Sequence, residues 1–265
     1  GPLAAVVLLS LLCISVPAHA DELRFDASEI EKKPYQVGGY AEFRPGLNRL
    51  DKDAALYRLN AYGRSQSARS LDYNGALQLE GSLERGSSRL FLRTRADYSS
   101  ARPRGDAWDA ALYEGFLSLK PSPNWALHGG KKALKWGKGY AWSPVAFLDR
   151  PKDPDDPELP LEGFALASAD YVRSFDGPLK TLSLTPVLFP VYRHVNDDFG
   201  SIDQWNVAGK LYALLYDTDL DFIALSGGSK SARYGMDLSR NLTPDFEVHG
   251  EFAYITSFRK TVLDS

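Results

Sequence analysis

Residues 71–84 alternate between an apolar and a polar parity. Leu71, Tyr73, Gly75, Leu77, Leu79, Gly81 and Leu83 take one parity, and Asp72, Asn74, Gln78, Glu80, Ser82 and Glu84 take the other. A period of two, with one apolar face and one charged face, predicts a β-strand. Residues 90–98 repeat the pattern, with Leu90, Leu92, Thr94, Ala96 and Tyr98 against Arg93, Arg95 and Asp97. Glu84 to Arg89 between them is a short polar turn, so the pair reads as an antiparallel hairpin.

The same module recurs along the chain. Hairpins are expected from 111–119 with 125–137, 166–175 with 181–191, 206–216 with 220–227, and 233–242 with 246–258. Earlier strand candidates are 35–44 and 55–64. Longer links fall at 99–107, 138–161 and 192–205, and short turns alternating with long links are the layout of an outer-membrane barrel. One inconsistency stands. If 35–44 and 55–64 are both full strands, the long links fall at the wrong end. Either an early segment is not a strand, or one is split at the hairpin-forming dipeptide Asn74-Gly75.

A soluble β-sandwich also alternates, but its strands average about 5–6 residues. These candidates run roughly 9–12 residues, the length a tilted strand needs to cross hydrocarbon. Aromatic residues gather near the expected strand ends: Tyr35, Tyr98, Trp125, Tyr171, Phe175, Tyr192, Trp205, Tyr216 and Tyr234. Rings at those positions suit a girdle at headgroup depth. The fold class expected is all-β, an antiparallel up-and-down transmembrane β-barrel.

The apolar run Leu3 to Val16 is too short for a membrane-spanning helix, and the small residues Ala18-His19-Ala20 follow it. Residues 1–20 therefore read as a signal peptide, cleaved before Asp21. Residues 21–34 read as an N-terminal periplasmic segment and 35–265 as the barrel. The one cysteine, Cys13, lies in the apolar run, so the exported chain has no disulfide or thiol chemistry. A formal net charge of −3 gives no general attraction to nucleic acid. The last residues, Thr261 to Ser265, lack the terminal aromatic of a barrel chain, which leads us to expect a barrel truncated at this end.

The stretch around which this pattern is organised is Trp125 to Gly163. Its strand end, Gly130-Lys131-Lys132-Ala133-Leu134-Lys135-Trp136-Gly137, resembles the G-[R/K]-[Q/K]-x-x-x-W-G strand end of porin-like outer-membrane barrels of Gram-negative bacteria. Tyr113 to Leu119 looks like the strand leading into it, the Asp/Pro-rich loop 144–160 is similar to the loop that follows there, and Thr185 to Pro190 resembles a later strand-end motif. The resemblance covers about residues 110–195. It implies an outer-membrane location, with membrane lipid, small solutes and the barrel-assembly machinery as partners.

Candidate chemistry follows the polar parity. Glu80, Glu84, Arg93, Arg95, Asp97, Glu114 and Lys132 would line a water-filled interior, where opposed charges bias which solutes pass. His128, Gly130 and Lys132 share one parity and Lys131 and Lys135 the other, so one lysine set is expected at the strand end or in the loop. The loop carries Asp149, Arg150, Lys152, Asp153, Asp155, Asp156 and Glu158. Folded inward it would narrow the pore; folded outward it would be a solvated surface loop. Pro154 and Pro157 interrupt any calcium loop built from its acids, so no metal and no cofactor are expected. His128, His194 and His249 have no serine in a recognisable nucleophile motif, and no catalytic residue is expected. The function expected is a channel for small solutes. The alternative is a non-conducting barrel serving as assembly partner, adhesin or scaffold.

Overall fold

The computed structural model describes residues 33–257 apart from 50, 61, 64–68, 102–104, 140–141 and 152–158. The described residues form eleven strands in one antiparallel sheet whose spatial order is the chain order. They are β1 (Tyr35–Arg49), β2 (Arg69–Arg85), β3 (Ser88–Ala101), β4 (Gly105–Ser122), β5 (Trp125–Lys132), β6 (Phe164–Ser174), β7 (Leu179–Val191), β8 (Gln204–Leu215), β9 (Thr218–Gly227), β10 (Arg233–Thr243) and β11 (Phe246–Ile255). The expected class, all-β in an up-and-down meander, is what the chain adopts. Closure is not. Among the described strands β1 pairs only with β2 and β11 only with β10, so the sheet has two free edges.

The five expected hairpins are all present, with their short turns at one end of the sheet. The inconsistency at the start of the chain is resolved by a helix. Residues 55–60, expected as strand, form the six-residue helix α1 (Ala55–Asn60). Asp51 accepts from the Asp53 amide at 2.9 Å, fixing the turn that opens it, and Arg58 reaches Asp53 at 3.2 Å. The link between β1 and β2 thus joins the others at the opposite end. The Asn74-Gly75 split does not occur either: β2 runs through it, with Asn74 opposite Ser99 and Gly75 opposite Tyr98. The link expected at 99–107 shrinks as well, because β3 and β4 stay paired out to Ala101 and Gly105.

The two faces differ in kind. One is bare: Leu79 on β2, Val207 on β8 and Phe252 on β11 are 53%, 55% and 65% exposed. From β2 to β6, the charged residues of this parity (Arg69, Arg85, Asp106, Lys131 and Arg173) stand in the first or last two positions of their strands. Arg240, three residues before the end of β10, is an exception. Aromatic pairs mark both ends of this face. Trp125 and Tyr171 lie 4.9 Å apart toward the short turns, and Tyr98 and Trp108 lie 4.6 Å apart toward the long links.

The other face carries the charged residues and the loop residues 133–139 and 142–151. A bulge between Arg93 and Thr94 of β3 leaves Tyr113 of β4 unpaired and reverses the parity of β4 there. That keeps Leu112 on the bare face above the bulge and Leu117 on it below. The buried core lies where residues 133–139 and 142–151 cover the long-link ends of β6 to β9. Leu134, Trp136, Val145, Phe147 and Leu148 of the segment pack with Phe164, Leu166, Val187, Phe189, Val191, Phe199, Ala208, Ile223 and Leu225.

Candidate functional site

The loop starts where β5 ends. The expected strand ran to Gly137, but the ladder stops at Lys132 because the next groups bond elsewhere. The Ala133 amide donates to Glu114 Oε1 at 3.0 Å, and Leu134 and Trp136 turn into the core. Gly130 makes the departure possible. Its φ is 127°, and a Cβ there would lie 2.4 Å from the Gly115 carbonyl oxygen, so the backbones touch where a side chain would stand. Gly163 closes the loop in the same way, since its Cβ would lie 2.4 Å from the Lys132 carbonyl carbon.

Between these glycines the chain folds onto the charged face. Ser143 to Leu148 form a compact turn, with Ala146 N–H donating to the Ser143 carbonyl at 3.3 Å. Asp149 accepts from the Trp136 amide at 3.4 Å. Arg150 donates to the Glu162 carbonyl at 3.1 Å, pairs with Asp198 and lies over the Phe164 ring. Asp149 and Arg150 therefore fasten the loop rather than standing free. The remaining loop candidates, Lys152, Asp153, Asp155, Asp156 and Glu158, lie outside the described residues. Lys131 pairs with Glu162 at the loop's return, and Lys135 is exposed in the loop, which answers the lysine parity question raised by the sequence.

All seven wall candidates share the loop-bearing face. Arg93 sits between two acids, donating from Nε to Glu80 Oε2 at 3.0 Å and from Nη1 to Glu114 Oε2 at 2.7 Å. Arg95 donates to Asp97 at 2.7–3.0 Å and to Tyr40 Oη at 2.6 Å. Glu84 and Arg89 pair at 3.5 Å near the short turns. Lys132 stands over the Phe116 ring at 5.3 Å. Glu80, Arg93 and Glu114 are register partners on β2, β3 and β4, which is why the three charges meet.

A second charged cluster was not anticipated. Asp221, Asp237 and Glu251 are register neighbours across β9, β10 and β11. Asp221 and Asp237 are fully buried, and like charges side by side on a sheet repel. The loop supplies the counter-charge. Lys138 Nζ lies 3.0 Å from Asp221 and 2.8 Å from Asp237, and Lys210 Nζ lies 3.2 Å from Asp221. Glu251 takes the backbone instead, accepting from the Lys138 and Gly139 amides at 3.0 and 2.9 Å and from Ser143 Oγ at 2.6 Å. Burial works against the Lys138 charge, and hydrogen bonds to Asp237 and Asp221 more than offset it, so its pKa is raised above the ordinary lysine value.

A third group crosses β4 to β7. Asp170 Oδ2 lies 2.9 Å from His128 Nε2, and Ser118 Oγ lies 2.7 Å from His128 Nδ1. Thr185 donates to the other Asp170 oxygen at 2.7 Å. An ionised Asp170 can only accept, so His128 donates from Nε2; in the tautomer with its one proton there, Nδ1 accepts from the Ser118 hydroxyl.

Both missed clusters depend on register, which parity alone does not give. Ser118 and His128 are opposed across the tight turn after Ser122, a pairing that a search for nearby sequence motifs does not see. Comparison with protein-family models, curated protein sequences and solved structures finds no match to this chain.

Proposed function

We propose that this chain forms the wall of an outer-membrane β-barrel of the porin-like kind, with the bare face toward lipid, the loop-bearing face toward a water-filled lumen, and a channel for small solutes between. The observation that carries this reading is the contrast between the faces. The bare face is apolar along nearly every strand, while charges are collected on the face beneath the loop. A lysine or arginine at mid-depth in lipid costs about 2–4 kcal/mol, so a lipid-facing wall excludes them as this face almost does. Arg240 is near enough to the short turns for its long side chain to reach the headgroup level.

Dimensions agree. The 12 residues of β8 rise about 3.4 Å each, so at a tilt near 40° they cover about 31 Å along the normal, enough for an apolar band about 25 Å tall. The aromatic pairs at both ends of the bare face suit the two interfaces. In lipid the free edges of β1 and β11 must find partners, with each other or with further strands, because unpaired backbone groups there cost several kcal/mol each.

The loop then lies within the lumen as a constriction. Its docked turn and the Lys138 cluster narrow one side, and the Arg93 and Arg95 groups line the other strands of the wall. The test is planar-bilayer recording on the refolded protein. A reproducible unit conductance is expected; its absence at every voltage would favour the scaffold or assembly-partner reading.

A further inference from the structure

We propose that Ser118 is a nucleophile activated by His128 and Asp170, and that the cavity beside it takes a small carboxylic ester carrying an acidic group. The geometry is that of an acyl-transfer relay: hydroxyl to imidazole at 2.7 Å, imidazole to carboxylate at 2.9 Å, and carboxylate to the Thr185 hydroxyl at 2.7 Å. Each member has a separate strand, and Thr185 is the positioning residue that holds the carboxylate. His128 is further fixed by the Phe116 ring, 6.1 Å away and edge-on. A wall that needed only cross-strand hydrogen bonds would be satisfied by Ser118 and His128 alone. The orientation of the ring by a third and a fourth group is what a base requires.

A cavity of about 350 Å³ adjoins the relay, and Ser118, His128, Phe116, Lys120 and Lys132 are among its lining residues. Its one carboxylate, Glu84, is paired with Arg89, which leaves the Lys120 ammonium group to favour an acidic ligand. Ser168, opposite His128 in register, has a buried hydroxyl with no hydrogen-bond partner among the described residues, a spare donor at the relay.

The chemistry closes without a further reactant except water. Ser118 Oγ forms a bond to the ester carbonyl carbon as its proton passes to His128 Nδ1, and the carbonyl π electrons move to oxygen. The Lys120 ammonium group favours that developing negative charge. Collapse of the intermediate breaks the bond to the alkoxy group, which leaves with the proton from Nδ1. Water then attacks the acyl-serine, giving its proton to Nδ1, and Ser118 departs with that proton restored.

The inference is independent of conduction and is tested separately. The refolded full chain is treated with a fluorophosphonate probe, and the adduct is located by peptide mass spectrometry. We expect an adduct on Ser118 that is absent in Ser118→Ala and forms about 100-fold more slowly in His128→Asn. Ser118→Cys guards against variants that fold poorly. With the chain's single native cysteine removed as Cys13→Ser, alkylation of this one by iodoacetamide should be accelerated when His128 is present relative to Ser118→Cys/His128→Asn. No Ser118 adduct on protein that is shown to be folded, or labelling at an equal rate without His128, would overturn the proposal and leave the channel reading untouched.

Discussion

Gly130 shows how much one position carries. Its φ of 127° and the 2.4 Å approach of the Gly115 carbonyl oxygen leave no room for a methyl group. Gly130→Ala should therefore destabilise the fold by about 1–3 kcal/mol, read as a lower midpoint for thermal unfolding on gels; an unchanged midpoint would mean the backbones are not in contact. Lys138 is the second such residue. Removing the partner of buried carboxylates costs about 3–5 kcal/mol. Burying each of Leu134, Trp136, Val145, Phe147 and Leu148 contributes about 1.5–3 kcal/mol, which together outweighs it. Lys138→Met should thus loosen residues 137–139 in hydrogen exchange while 145–148 stay protected. Loss of protection across the whole loop would show that charge, not packing, holds it. The pH dependence has a definite sign. A lysine whose folded pKa is raised contributes fully below its unfolded value and is lost as pH rises through the folded one. Loop protection should persist through neutral pH and weaken only above the ordinary lysine range.

At the level of elements, most of the sheet was legible. β2 and β3 alternate with one exception each, Ala76 and Phe91, and the five tight turns announce the hairpins. Residues 55–60 were misread because a short segment of Ala, Leu, Tyr and Arg satisfies either period, and the Asp51 and Asp53 turn was needed to decide it. The docking site of the loop also left a signal. Val187 to Val191 on β7 and Phe222 to Leu225 on β9 are apolar in both parities, one row on the bare face and the other beneath the loop, whereas β2 has a single apolar row. What stayed hidden was register. Asp221, Asp237 and Glu251 look like ordinary solvated positions until the strands are set side by side. A substitution on one element tests what the bare face meets. Leu79→Arg, in the middle of β2, should cost about 2–4 kcal/mol if that face lies in lipid. On a face in water the same change should stay within about 0.5 kcal/mol, which denaturant titration in bilayers distinguishes.

For the whole molecule, the account joins two statements: one face in lipid, and a loop lying in the lumen. The loop half is tested by Phe147→Asp, which puts a charge into the buried cluster and should free the turn, raising unit conductance. No change in conductance would mean the turn does not constrict a path. The claim on which everything else depends is the assignment of faces. It is met most directly by single cysteines placed in turn at residues 77–83 of β2, in protein reconstituted into vesicles. Each is labelled with a fluorophore and exposed to a lipid-tethered and to a water-soluble quencher. The account predicts alternation, with Leu77, Leu79, Gly81 and Leu83 quenched from the lipid and Gln78, Glu80 and Ser82 quenched from water. Equal access of the water-soluble quencher to both parities would contradict it, because the bare face would then be in solution.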